Sequence, residues 1–583
     1  MTSSQRTKSN EQNKKSVPIR FFCVHQCSYQ VKKSPSPDKL QFYQLTSQRL
    51  TLNCAYQQSH QKNTMLDLRM TGICALLFSI PFLINWVDTQ NDKSSRFHNQ
   101  DELKIWSAMV DTIPDGYNGL FLSSSHCVEC HGFDTAMIAS VDLLGNDINV
   151  VDDWRATMMA NSAKDPFWRA KVSHEVLLYA DRKQEIESKC TSCHAPMGHF
   201  TAFHNGADFY SMEQLLEDSI GLDGVSCLAC HQQADAGQTH SGNLVYDTAR
   251  VAYGPFVSPL ESPMLLATDY KPEFSPHISQ SENCAGCHTL INETLDYEGN
   301  TTGNTFVEQA TYHEWKNSKY SAENTSCQNC HLPEMEKGSF FLVAGHDTQQ
   351  RDSFYLHDLV GANTTMLKLM KENREELGIT ATPDQFDEVI AKTEQLLRFN
   401  AVNMNLEFVE RTTDTAFFQV NILNKTGHKF PSGYPARRAF IEFIVETEEG
   451  EQLFASGNYD DENYELFAQN EDFEPHYQTI VSEDQAQIYE FVFGDVNNEV
   501  STVLSRGNVG LKDNRLVPQG FLTEHFTYDT VQIYGNALTD PDFNIADGMQ
   551  GSGTDIVHYH VPLNGNTDNL IITARFFLSL IHI

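Results

Sequence analysis

The sequence predicts a mainly α, loop-rich region followed by an all-β, sandwich-like domain. Two observations support this fold class. Five Cys-x-x-Cys-His motifs occur at irregular intervals between residues 127 and 331, among segments with helical apolar spacing or loop-forming residues. After residue 400, apolar and polar residues alternate, which is typical of half-buried strands. We therefore expect a domain boundary near residue 400.

Length and charge exclude several classes of protein. The chain has 583 residues and a formal net charge of −36. This balance argues against nucleic acid as a partner, because phosphate contacts need clustered Lys and Arg. One segment alone approaches the length of a membrane span, so the chain is not a multi-spanning transporter.

The first 64 residues differ in charge from the rest of the chain. They contain ten basic and two acidic residues and show no sustained apolar period. We interpret residues 1–64 as over-extended translation upstream of Met65 or Met70, and hence as a basic leader outside the native protein. A basic disordered arm is the alternative interpretation.

The single membrane-like segment lies within residues 65–95. Residues 70–87 read MTGICALLFSIPFLINWV, with Arg69 before them and Asp88 after them. This predicts either a cleaved signal peptide or an N-terminal membrane anchor, and the sequence does not separate the two. In both cases the basic flank stays inside, so the chain after residue 88 is exported.

Cys-x-x-Cys-His is the attachment motif of c-type haem. Its two thiols form thioethers with the porphyrin, and its histidine supplies the proximal nitrogen to the iron. A single copy is also compatible with half of a zinc site, but five copies predict five covalently attached haem c groups within residues 96–400. The thioether cysteines are Cys127, Cys130, Cys190, Cys193, Cys227, Cys230, Cys284, Cys287, Cys327 and Cys330. The proximal ligands are His131, His194, His231, His288 and His331.

Further histidines are candidates for the second axial ligand of each iron. Of the 23 His, 14 lie within residues 126–357, so nine remain there after the proximal ligands are removed. His174 is a candidate because it lies on a helix predicted over residues 165–188, and His199 because it follows the second motif closely. Residues in reserve are His126, His204, His240, His313 and His346.

Several stretches resemble the multihaem c-type cytochromes of the cytochrome c-552/c-554 kind, in the long form with a C-terminal β domain. Two of them read DGVSCLACH (residues 223–231) and TGHKFPSGYPARRAF (residues 426–440). The others are residues 154–175, 277–290, 314–333, 351–363, 474–490 and 511–521. The resemblance implies that His277, His357 and His428 are distal ligands. The fifth motif and the added domain depart from the short four-haem members.

The remaining elements follow from apolar periodicity. Residues 365–377 and 382–397 are predicted as helices that close the haem domain. Residues 401–583 are predicted as a β-sandwich-like domain, truncated at its C-terminus because LSLIHI resembles translated adapter sequence. Its predicted strands cover residues 402–409, 416–422, 439–446, 487–493, 556–561 and 570–576.

These features predict an exported, periplasmic pentahaem cytochrome that transfers electrons in a respiratory chain, with no catalytic residue assigned. Its partners would be redox proteins, among them basic ones that an acidic surface attracts, and the membrane if residues 70–87 remain as an anchor. The alternative is a multihaem reductase or oxidase of small nitrogen or sulfur compounds with one open haem site. All five motifs end in His and none ends in Lys, which favours electron transfer over the reductase or oxidase without excluding that alternative.

Overall fold

The computed structural model describes residues 22–32, 41–44, 115–335, 338, 340–345, 349–460, 466 and 473–579. The apolar segment 70–87 and His346 lie outside these residues. Among the helices described, none is both long and apolar enough to cross a membrane.

Short helices and short sheets alternate through the motif region, which we define as residues 115–401. Its helices are Ser125–His131 (α1), Val150–Arg155 (α2), Pro166–Leu178 (α3), Lys183–His194 (α4), Pro196–His204 (α5), Met212–Glu217 (α6), Cys227–His231 (α7), Glu261–Thr268 (α8), Glu282–His288 (α9), Thr311–Lys316 (α10), Lys319–Ala322 (α11), Cys327–His331 (α12), Thr364–Glu372 (α13) and Pro383–Gln395 (α14). The last helix continues as the π-helical turn Leu396–Ala401, and 3₁₀ turns cover Ala180–Arg182, Gly221–Asp223 and Pro276–Ser279.

The prediction of a mainly α fold class is wrong. Helix and strand occur in similar amounts among the described residues, 30% and 28%, because the chain between motifs pairs with itself instead of extending the helices. Four two-stranded sheets result in the motif region. Numbered after the two leader strands Phe22–Lys32 (β1) and Gln41–Gln44 (β2), their strands are Gln233–Gly237 (β3), Leu244–Tyr246 (β4), Val251–Gly254 (β5), Lys271–Phe274 (β6), Thr289–Leu295 (β7), Thr301–Ala310 (β8), Phe340–Phe341 (β9) and Gln350–Arg351 (β10).

The helix predicted over residues 165–188 is broken in two. Helix α3 ends at Leu178, a 3₁₀ turn follows, and α4 begins at Lys183. Tyr179 leaves the helical conformation at the break, and its hydroxyl donates to the Asp296 carbonyl at 2.9 Å. A tertiary contact therefore overrides the local helical pattern. The two closing helices, α13 and α14, are confirmed with shorter ends.

After residue 401 the chain forms the β region, whose strands confirm all six predicted ones. They are Val402–Arg411 (β11), Thr415–Asn424 (β12), Arg438–Thr447 (β13), Gln452–Ser456 (β14), Thr479–Ile480 (β15), Ile488–Gly494 (β16), Val500–Ser501 (β17), Val509–Asp513 (β18), Ile545–Ala546 (β19), Met549–Gln550 (β20), Thr554–Pro562 (β21) and Leu570–Ser579 (β22). Three 3₁₀ turns cover Leu504–Arg506, Tyr528–Thr530 and Gly535–Leu538.

Two sheets of the β region pack face to face. One has the order β11-β12-β21-β15, and the other contains β17-β16-β13-β22 with β14 and β18 attached. Inward-facing residues of both share one apolar core, in which the rings of Phe443 and Tyr559 stack across the sheets with centroids 3.9 Å apart. The alternating pattern in the sequence is thus the alternation between this core and the outer face.

Part of the predicted leader joins the larger sheet. Strand β1 pairs antiparallel with β22, and β2 pairs with β1. The interpretation of residues 1–64 as lying outside the native protein stays a prediction, since strand pairing does not test where translation begins.

Candidate functional site

Each Cys-x-x-Cys-His motif lies at the C-terminal end of a helix. Helices α1, α4, α7, α9 and α12 all end at the histidine of their motif. Cysteines three positions apart on a helix share one face, and the histidine follows one position later. The helix therefore presents two thiols and one imidazole together.

All five motifs line a single branched cavity of about 2620 Å³. All ten cysteines and all five histidines of the motifs contribute to its wall. The ten cysteines are free thiols rather than disulfides. A cavity of this size in the middle of a folded region is far larger than packing defects of protein interiors.

Thiols of different motifs touch inside this cavity. A hydrogen bond to Cys127, followed by burial, raises the pKa of Cys227, and a hydrogen bond to Cys327 raises the pKa of Cys284 in the same way. The Cys287 thiol likewise donates a hydrogen bond to Cys193, which raises the Cys287 pKa. The first motif therefore adjoins the third, the second adjoins the fourth, and the fourth adjoins the fifth.

Three of the five motif imidazoles are held with Nε2 free to accept, as a metal ligand would be. The Nδ1 atoms of His194, His231 and His331 donate to backbone carbonyls at 3.3, 2.6 and 2.8 Å, which leaves Nε2 as the acceptor. Burial lowers the pKa of His194 and His288 to about 4 and lowers that of His231 and His331. These rings are neutral at physiological pH.

The rings of His231 and His357 lie at the spacing that two ligands of one metal would have. Their ring centroids are 6.4 Å apart and their planes differ by 16°. A metal–imidazole bond of about 2 Å, with each ring centre about 1 Å beyond its nitrogen, places two such centroids about 6 Å apart. The Nδ1 of His357 donates to the Tyr355 carbonyl at 3.0 Å, and burial lowers the His357 pKa to about 4.

Two further predicted distal ligands also line the cavity. The Nδ1 of His428 donates to the Lys429 carbonyl at 2.9 Å, and His428 contributes to the lowered pKa of His288 and His331. The Nδ1 of His199 lies 3.2 Å from the Thr191 hydroxyl, and burial lowers the His199 pKa to about 4. Their Nε2 atoms have no hydrogen-bond partner among the described residues.

The structure does not bring His174 and His277 to the cavity wall. His174 is exposed on α3, with the Lys171 ammonium 3.2 Å from its Nδ1. His277 is buried, but its two nitrogens are bonded to the Ser275 hydroxyl at 2.6 Å and the Gln233 carbonyl at 2.8 Å. Neither placement favours the predicted role as an iron ligand.

One residue of the cavity wall was held only in reserve, and three others were not selected from the sequence. His126 lines the wall directly before Cys127, and its place beside the motif was the available signal. Glu308, Tyr434 and Arg437 line it as well, and burial raises the Glu308 pKa to about 7. No local pattern marks these three, because strand β8 and the segment before β13 bring them to the cavity.

A second group of metal-ligating residue types lies in the β region. His476, Asp540 and Asp555 are buried with their ligand atoms within 4.8 Å of one another. The His476 Nδ1 accepts from the Gln487 and Asn514 amides at 2.9 and 3.0 Å, so its proton is on Nε2 and is donated to Asp540 at 2.9 Å. No nitrogen lone pair is left for a metal, and we interpret the group as polar core.

Comparison with known proteins gives one distant similarity. No family model and no curated protein matches the chain. Its structure is similar to that of a penta-heme cytochrome c552 from Thermochromatium tepidum, with 16% sequence identity and a TM-score of 0.44 over 80% of this chain and 93% of that chain. A similarity at this level does not identify a family, so the functional argument rests on the chain's own residues.

Proposed function

We propose that the chain is an exported multihaem c-type cytochrome that transfers electrons through five haem c groups. The observation that carries the proposal is that five complete attachment motifs line one cavity and touch through their thiols. When bound, haem c supplies an iron that alternates between the ferric and ferrous states. These contacts join the first motif to the third, and the second and fifth motifs to the fourth, and the shared cavity would hold all five groups beside one another.

The chain's residues fit this cofactor. The ten motif cysteines would hold it as thioethers, and the five motif histidines would be proximal ligands. His357 would complete the site of His231, since the two rings have the spacing of a shared metal. His428 and His199 would serve neighbouring sites. Their carbonyl and hydroxyl partners orient the rings and keep Nε2 available.

The acidic balance supports the proposed partners and location. A net charge of −36 would steer basic redox proteins to the surface by long-range attraction. Covalent haem attachment takes place after export, which supports a periplasmic location, with residues 70–87 as signal peptide or anchor.

One observation favours a second candidate function, the reduction or oxidation of a small nitrogen or sulfur compound. Among the described residues, nine histidines line the cavity, and five of these belong to the motifs. The four others, His126, His199, His357 and His428, cannot serve five irons at one each. One iron would then have a non-histidine ligand, such as Met158 or Met159, or an open position.

The purified holo-protein separates the two candidates. Intact mass should show five attached haems, and low-temperature EPR of the oxidised protein should show five low-spin signals if every iron is six-coordinate. A high-spin signal would favour the enzyme and call for assays with nitrite, hydroxylamine and sulfite. A chain that carries no covalent haem after export would refute both.

The ligand assignment has its own test. His357→Ala should convert one low-spin signal to high-spin, whereas His174→Ala, on the exposed face of α3, should leave the spectrum unchanged. Equal spectra for the two variants would remove His357 from the ligand set.

A further inference from the structure

Four buried charges join the motif region to the β region. Glu314 lies on α10, between the fourth and fifth motifs, whereas Lys429, Asp513 and Arg515 belong to the β region. Their exposed fractions are 1% for Glu314, 0% for Lys429, 2% for Asp513 and 8% for Arg515. Charges this deeply buried are stable only when they are paired and hydrogen-bonded.

The pairing is complete and electrically balanced. The Arg515 guanidinium contacts Glu314 at 3.1 Å and Asp513 at 2.7 Å, and the Lys429 ammonium contacts Asp513 at 2.7 Å. Burial alone would raise the pKa of Asp513, but Arg515 and Lys429 lower it. The group therefore holds two carboxylates and two cations.

Glu314 also binds the loop that carries His428. One of its carboxylate oxygens accepts from the Lys429 backbone N–H at 3.0 Å and from the Ser432 hydroxyl at 2.7 Å. These two donors follow His428 by one and four positions. The carboxylate thus holds the backbone on the C-terminal side of the histidine.

The carbonyl of the same peptide bond is held by donors from the earlier part of the loop. The Asn424 amide donates to the His428 carbonyl at 2.8 Å, and the Thr426 hydroxyl donates to it at 2.7 Å. A Cβ at Gly427 would lie 3.2 Å from the Trp315 ring on α10, so the loop approaches this helix closely. The peptide bond that follows His428 is therefore held at both its N–H and its carbonyl, the His428 Nδ1 is bonded as well, and the side chain lines the cavity.

We propose that Glu314 is a positioning residue that sets the place of His428 as an axial ligand in the series of haem sites. Through Glu314, the β region would determine whether His428 ligates the iron held by the fourth or the fifth motif. These are the motifs whose histidines lie near enough for His428 to lower their pKa. The inference rests on the proposed function. It adds a role for the β region, which would belong to the redox unit rather than being an appended domain.

The test compares Glu314→Gln with Glu490→Gln in the holo-protein. Glu490 is the matched control: it is 6% exposed and pairs with buried Lys512 at 2.9 Å, remote in sequence from the His428 loop. Glu314→Gln should convert one low-spin EPR signal, the same one that His428→Ala converts, and shift the midpoint potential of that haem. Glu490→Gln should lower thermal stability and leave the signals and potentials as in the wild type.

A milder variant covers the case in which Glu314→Gln does not fold. Ser432→Ala removes one bond to Glu314 and no charge, and it should shift the g-values of the same signal. Wild-type spectra for whichever of these two variants folds, or changes equal to those of Glu490→Gln, would overturn the inference. Failure of the proposed function is distinguishable, because the wild-type chain itself would then lack covalent haem.

Discussion

The two regions of the molecule bury apolar side chains in different ways. The β region is organised around one core of 34 buried residues that spans both sheets, and 31 of these residues belong to the β region itself. The motif region has separate clusters of at most ten buried residues each, arranged around a cavity of about 2620 Å³. Apolar burial is the main driving force for folding. The β region is therefore stabilised by its own side chains, whereas the motif region needs its cavity filled.

The difference between the two regions is tested most directly by producing the protein without its cofactor. A chain exported by cells that lack the haem-attachment system should have an unfolded motif region. Haem stabilises the folded state because it binds that state and not the unfolded chain. Hydrogen exchange should be fast in α4, α7, α9 and α12 and slow in β12, β13 and β21.

The control for this experiment is the holo-protein, in which all seven elements should be protected. Equal protection of the two regions in the cofactor-free chain would show that the motif region folds without haem, and the comparison would fail.

The comparison also explains what the sequence predicts well. Alternation of apolar and polar residues depends on a protein core, and the β region has one, so all six predicted strands occur. In the motif region, many side chains face the large cavity instead. Short sheets such as β7–β8 carry no helical or strictly alternating pattern, and the prediction of a mainly α region was wrong for that reason.

The candidate site shows the same limit. The five motifs are local in sequence, so the residues that the structure brings together from them could be named in advance. Candidate second ligands come from distant segments, and only tertiary structure decides which histidine reaches the cavity. His357 reaches it, whereas His277 is turned away by bonds to Ser275 and Gln233. His126 also lines the cavity wall, and its position next to Cys127 is the one feature of the sequence that marks it.

A substitution in the β core should have the next largest effect. Phe443 is 0% exposed and stacks on Tyr559 between the sheets. Phe443→Ala should lower the free energy of unfolding by about 3–5 kcal/mol, because it removes buried apolar contacts and leaves a void. Urea denaturation of the holo-protein measures this change.

Val409 provides the control, since it is 52% exposed on β11. Val409→Ala should cost less than about 0.5 kcal/mol. Similar losses for the two variants would mean that the sheets do not enclose a tightly packed core.

The cavity wall should make stability depend on pH through Glu308. Burial raises the pKa of Glu308 from 4.5 to about 7. Between these values the folded state keeps a proton that the unfolded chain has lost, so stability falls as the pH rises. Glu308→Gln removes this penalty and should stabilise the protein at pH 8 by up to about 3 kcal/mol.

Denaturation curves at two pH values check the sign. At pH 4 Glu308 is largely protonated in both states, and the difference between variant and wild type should be small. An amide oxygen can still accept from Asn292, which donates to Glu308 at 2.8 Å. A difference that is the same at pH 4 and pH 8 would contradict the shifted pKa.

The smallest effect is expected at the surface of the motif region. Helices α13 and α14 pack through buried residues such as Met366, Met370 and Phe386, and an ion pair between Lys368 and Glu394, 3.1 Å apart, bridges their outer face. The Lys368 side chain is 46% exposed, so water and salt screen the pair. Lys368→Ala should change the free energy of unfolding by less than about 0.5 kcal/mol.

Phe386→Ala, measured beside it by urea denaturation, should cost several times more, because this helix pair is held by its apolar face. If Lys368→Ala lowered the free energy of unfolding as much as Phe386→Ala, surface charges would stabilise this helix pair to the extent that a continuous apolar core stabilises the β region.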